Sequence, residues 1–109
     1  MNGLDAFLAA EIRVATVVEA RSFPEARIPA IKLRLHFGAQ EYRWSSARIT
    51  DNYEPDSLPG RQVLALTNVP SRRVAGFKSE CLVLGVPGEE GGVVLVKPDW
   101  IVPDGGRIY

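Results

Sequence analysis

The sequence has one cysteine and one histidine among its 109 residues. One cysteine cannot close an internal disulfide, which fits a reducing compartment. One Cys and one His cannot build a structural zinc site without carboxylates, so no metal is expected, and no motif asks for a cofactor. No apolar run approaches the ~18 residues of a membrane helix, so no membrane insertion is expected. The opening MNGLDAFLAAEIR carries Asp5 and Glu11 and lacks a basic n-region, so it does not read as a signal peptide, and the expected location is cytoplasmic. Net charge is absent as well, since 13 basic residues balance 13 acidic ones. A length of 109 residues predicts a single domain, residues 1–109, with one modest core.

The zero net charge hides an uneven distribution. Arg21, Arg27, Lys32, Arg34, Arg43 and Arg48 face only Glu25 and Glu41 in residues 21–48. Arg61, Arg72, Arg73 and Lys78 form a second basic block with no acid between Ser57 and Ser79. Ten of the 13 cations are arginine, whose planar, multi-donor head suits phosphate, carboxylate and aromatic surfaces. The two blocks matter only if folding brings them together.

In LDAFLAAEI, the residues Leu4, Phe7, Leu8 and Ile12 recur at helical spacing. A helix this short does not hold alone in water, so it must dock on the body or on a second chain. IRVATVVEA reads as a strand, RSFPEARIP as a loop between two prolines, and IKLRLHF as a half-buried strand. In the last, Ile31, Leu33, Leu35 and Phe37 point one way, while Lys32, Arg34 and His36 point the other. A third strand starts near Tyr42, and TDNYEPDSLPG holds one helical turn near Pro55 to Leu58. RQVLALTNV and ECLVLGV read as the fourth and fifth strands, PGEEGG as a turn, and VVLVKP as a last short strand. The expected fold is therefore mainly all-β: a five-stranded OB barrel with a short N-terminal helix and a helical turn between strands three and four. An SH3-like barrel fits less well, because it usually lacks that inserted turn.

Catalytic chemistry has little support. A nucleophile needs an activating base beside it, and the only Cys–His combination is Cys81, opening an apolar strand, with His36 on a polar face. GFKS matches the end of a phosphate loop, but the full G-x-x-x-x-G-K-[ST] pattern is missing. GVPGEEGG carries Glu89 and Glu90, which would repel a phosphate. The expectation is a binding protein rather than an enzyme.

The candidate binding residues come from three regions. Phe23 and Arg27 lie in the first loop. Lys32 and Arg34 lie on the second strand, with Trp44, Ser45, Ser46 and Arg48 on or just after the third. Arg72, Arg73, Phe77 and Lys78 lie in the connection between strands four and five. In an OB barrel the middle strands and these two loops share one face. Cations with interleaved aromatics there suit nucleic acid, an extended peptide or an acidic protein surface. The same residues have structural readings: a charged strand face discourages edge pairing, and Trp44 is a common kind of packed residue. Phe77 has no apolar neighbour before Cys81, so it either plugs the barrel end, packs on another subunit or meets a ligand.

FPEARIPAIKL and RRVAGFKSECLVLG resemble the CsaA family of small export-related chaperones. That family lies within a wider superfamily of tRNA-binding OB modules, found alone or appended to methionyl-tRNA and other synthetases. The resemblance runs from about Ile12 to Arg107. It implies an OB fold with a helical extension, a homodimer, and binding of an unfolded preprotein, an export-machinery protein or tRNA. In the wider superfamily the strand-four-to-five motif is roughly basic-x-x-Gly-Val-Glu-Ser-x-Gly-Met. Here Arg73, Gly76 and Ser79 match it, while Phe77, Lys78, Cys81 and Leu82 depart from it in the CsaA manner. The tRNA role therefore carries over less firmly than the fold, although Lys78 makes the site more basic. Dimerisation also suits the helix and the apolar tail WIVP, which supply surface that a small barrel cannot bury.

Overall fold

In the computed structural model, which describes all 109 residues, the elements run α1 (Gly3–Ala9), β1 (Ile12–Ser22), β2 (Ile31–His36), β3 (Tyr42–Ala47), a 3-10 turn (Pro55–Ser57), β4 (Gln62–Leu66), β5 (Arg72–Val74), β6 (Phe77–Ser79), β7 (Leu82–Val83), β8 (Gly85–Pro87) and β9 (Val93–Leu95). The alternation in β2 is strict: Ile31, Leu33 and Leu35 are buried, and Lys32, Arg34 and His36 only half-buried. The main sheet is antiparallel, in the order β3-β2-β1-β4-β7. β1 serves two neighbours. Residues Ile12–Thr16 pair with β4 and Thr16–Ser22 with β2, and a bulge at Val18 interrupts the pairing with β2. A bulge bends and twists its strand, and such a bend is what a closing sheet needs.

Closure comes from residues 79–81 against β3. The Glu80 amide donates to the Trp44 carbonyl at 2.8 Å, the Ser46 amide to Ser79 Oγ at 3.0 Å, and the Ser45 hydroxyl to the Cys81 carbonyl at 2.8 Å. The result is a nearly closed five-stranded barrel, as the residue pattern predicts. Val17, Ile31, Leu33, Leu35, Phe37, Leu58 and Val63 are all 2 % exposed or less and fill its interior. Leu58, just after the 3-10 turn, plugs this core from the β3–β4 connection.

The structure corrects the connection after β4 and the fifth strand, and it shows how α1 docks on the body. The connection between the fourth and fifth strands is a hairpin, β5–β6, closed by Ala75 and Gly76. The fifth strand is broken: β7 adds two residues to the barrel, then β8 leaves to pair with β9. The helix α1 buries none of its residues, and Leu4 and Leu8 stay exposed. It is held by polar bonds instead. Asn68 Nδ2 donates to the Ala9 carbonyl at 2.8 Å, and Arg107 donates to the Leu8 and Ala10 carbonyls.

The C-terminal segment runs beside β1, where β2 has already ended. Amides of Gly105 and Ile108 donate to the Val14 and Ile12 carbonyls, and the Val14 amide donates to Gly106. Two clusters lock it. Arg13 makes a two-pronged bond to Glu41 at 3.0 Å per arm and also reaches the Gly105 and Phe37 carbonyls. Those bonds hold the Glu41 carboxyl below its ordinary range. Asp104 accepts from Thr16 at 2.7 Å and Gln62 at 3.1 Å, and pairs with His36 Nδ1 at 2.8 Å.

Candidate functional site

The cross-strand register sets the outer face. Lys32 stands opposite Ser46, Arg34 opposite Trp44, and His36 opposite Tyr42. The β5–β6 hairpin folds over this face and brings Phe77 onto it. The Phe77 ring meets Phe23 edge-on at 5.4 Å and Trp44 at 5.7 Å. Lys32 Nζ lies 4.5 Å from the Phe23 ring centre and 4.8 Å from that of Phe77. The three aromatics are therefore a packed cluster within one chain, carrying a cation on its rings.

Beside the cluster lies a groove of about 480 Å³. Arg27 from the first loop, Ser46 and Arg48 from the third-strand region, and Arg72 from the hairpin line it, with Ile28, Ala30 and Val74 as its apolar walls. No acidic residue lines it, and none of the three arginines takes part in an ion pair. Folding thus joins the two basic blocks, which lie far apart in the chain. On the hairpin itself Arg73 stands directly opposite Lys78. Like charges in that position repel, which costs local stability. Arg73 also donates to the Gly76 carbonyl at 3.0 Å and steadies the turn.

A second cleft of about 310 Å³ shares Ala30 with the groove. Phe23, Pro24, Pro29, Ile31, Tyr53 and Pro55 line it, together with Glu54. Sequence reading missed this cleft. Its signal was Pro24 and Pro29, read only as the ends of a loop, and Pro55, read only as the start of a helical turn, which here hold a rigid apolar wall.

The other candidates differ in exposure and in partner. Ser45 is fully buried and Phe23 is 4 % exposed, so Ser45 belongs to the barrel wall and Phe23 supports the cluster from beneath. Arg34 lies over the Tyr42 ring at 4.5 Å. His36 turns to the C-terminal segment, with Nδ1 at Asp104 and Nε2 at the Ala39 carbonyl. Burial pushes the Cys81 thiol up to about 11, so it holds almost no thiolate at neutral pH. Neither side chain engages the other. No group of metal-ligating side chains gathers here or elsewhere in the molecule.

Known proteins match along nearly the whole chain. The family described as "Putative tRNA binding domain" matches residues 12–107. A methionine–tRNA ligase from Chlorobium limicola is 35% identical over 94 residues, which is 86% of this chain and 13% of that protein. The chain spans about a seventh of the length of such ligases. The crystal structure of the chaperone CsaA from Bacillus anthracis is similar at 47% identity and a TM-score of 0.91, covering 100% of this chain and 99% of that one. The CsaA chaperone protein from Picrophilus torridus is similar at 38% identity and a TM-score of 0.89, with 100% of both chains covered. With that family's model spanning residues 12–107, this chain belongs to the tRNA-binding domain family.

Proposed function

We propose that this chain is a non-enzymatic, cytoplasmic, CsaA-like chaperone that holds exposed segments of unfolded export precursors. The observation that carries this reading is the apolar, proline-walled cleft sharing Ala30 with the three-arginine groove. A peptide with an apolar side chain next to an acidic one fits both halves. The two full-length structural neighbours named as chaperones support it. Arg27, Arg48 and Arg72 hold the acidic group, Ser46 offers a hydrogen bond, and Trp44, Phe77 and Lys32 form the adjoining rim.

A second reading, tRNA binding on the same face, is favoured by the unpaired cations and by the family itself. Arg73, Lys78 and Arg34 then add phosphate contacts. Salt separates the two readings. Binding through six or more phosphates weakens about 10³-fold or more between about 50 and 200 mM salt. Peptide binding through an apolar cleft changes little. Titrating the protein with bulk tRNA and with an unfolded precursor at both salt levels decides between them. Binding of both ligands left unaltered by Arg27→Ala, Arg48→Ala and Arg72→Ala together would place the site elsewhere.

A homodimer is part of this proposal. Leu4 and Leu8 of α1 are exposed, and Arg107, which bonds the Leu8 carbonyl, also lines a shallow apolar groove of about 350 Å³ with Val14, Leu64, Val102 and Ile108. A second copy covering that strip removes apolar surface from water and doubles the binding face. Sedimentation as a monomer at micromolar concentration would defeat this part.

A further inference from the structure

A separate pocket of about 380 Å³ lies where the start of β4 meets residues 97–101. It shares no residue with the arginine groove or the apolar cleft. Arg61, Lys97 and Trp100 line it, together with Ser57 and Asp99. Trp100 is 79% exposed, an unusual state for so large an apolar ring. Gln62 fixes the segment that carries it, donating to the Val102 carbonyl at 2.7 Å and accepting from the Val102 amide at 3.1 Å.

Neither Arg61 nor Lys97 takes part in an ion pair. The Arg61 head rests over the Tyr53 ring at 5.3 Å, and its buried Nε has no hydrogen-bond partner. Its positive charge is thus held in place and not neutralised by the protein. A contact between copies of the chain would avoid lysine and aspartate at its centre. Here Lys97 and Asp99 precede the indole in sequence, and Ile101, 81% exposed, follows it.

We propose that this pocket binds a nucleoside monophosphate group, either free or as one unit of a single-stranded nucleic acid. The base stacks on Trp100, and the phosphate sits at Arg61 and Lys97. Asp99, an acceptor only, suits the sugar hydroxyls or a ring amine and repels the phosphate, which sets the direction of the ligand. Ring stacking with paired cations is the usual chemistry of nucleotide capture.

The test is a nuclear magnetic resonance titration of the intact protein with AMP, adenosine, inorganic phosphate and a short oligoadenylate. The Trp100 indole signal is assigned by Trp100→Phe. AMP is expected to shift that indole and the amides of residues 57–62 and 97–101 in a saturable way. Adenosine and phosphate alone are expected to bind at least about tenfold more weakly, and Lys97→Glu to weaken AMP by about tenfold. Both substituted side chains are exposed, so these variants keep the fold. An oligoadenylate binding more tightly than AMP supports the polymer as ligand, and equal binding supports the free nucleotide. Shifts confined to the Arg27, Arg48 and Arg72 groove overturn the proposal. So does unchanged AMP affinity in Trp100→Ala, or a Trp100 indole shielded by a second copy and silent to every ligand.

Discussion

Ser45 and Ser46 are neighbours in sequence and differ in position. Ser46 lines the arginine groove, while the Ser45 hydroxyl is sealed in the wall and donates to Cys81. Strand alternation makes the difference, since adjacent side chains point to opposite faces. Ser45→Ala is expected to cost about 1–2 kcal/mol by leaving the Cys81 carbonyl without its donor. Ligand affinity is expected to stay as it was, and urea titration beside a binding assay checks both. A loss of affinity without loss of stability would return Ser45 to the site. Ala75 presents a second case. It turns at a φ of 47°, in a two-residue hairpin where Asn or Gly is the usual occupant. Ala75→Asn is expected to stabilise the protein by about 0.5–1 kcal/mol. A lowered melting temperature would contradict that. The positive φ was not legible in the sequence, because Ala seldom marks such a turn, whereas Gly76 beside it was a fair signal.

At the scale of elements, the strands with clear alternation were legible and the short ones were not. β2 could be read residue by residue because one of its faces is buried and the other is wet. β5 and β6, three residues each, carry too little pattern for that. Their pairing is visible only once the turn conformation is known. The candidate site shows the same split. The convergence of Arg27, Arg48 and Arg72 followed from the expected barrel, but the proline cleft did not, since it depends on how the first loop packs over Tyr53. The docking of the C-terminal segment also escaped sequence reading, being set by distant polar partners. Two glycines permit it. A side chain on Gly105 would meet the Phe37 carbonyl at 2.3 Å, and one on Gly38 the Asp104 carbonyl at 2.7 Å. Gly105→Ala, at a φ of +94°, is expected to cost about 2–4 kcal/mol. It would also speed amide exchange at Val14 and Ile108. Unchanged exchange would show that the segment contributes little.

Across the whole molecule, the His36–Asp104 pair ties the barrel to its last residues, with Thr16, Gln62, Ala39 and the Tyr42 ring around it. The bond to Asp104, then that to the Ala39 carbonyl, raises His36 above its ordinary 6.5. A raised basic group contributes stability that is fully present below 6.5 and lost as pH climbs through the higher folded value. Burial works against the Asp104 charge, but bonds from Thr16, His36 and Gln62 outweigh it and hold the carboxyl below 3.8. Its share is present above 3.8 and lost in acid. The segment is therefore anchored best between these limits. Its melting temperature is expected to fall from about pH 6 to about pH 8, with His36→Gln flattening that slope. An equal slope in the variant would exclude His36 as the cause. The facing pair Arg73 and Lys78 has a different reach. A hairpin of two three-residue strands, strained by its own charges, closes more firmly when an anion arrives. Arg72, Arg73 and Lys78 are also the residues after which trypsin cuts. The rate of nicking there is thus a label-free gauge of occupancy, fast in the empty protein and slowed by whatever ligand the cell supplies.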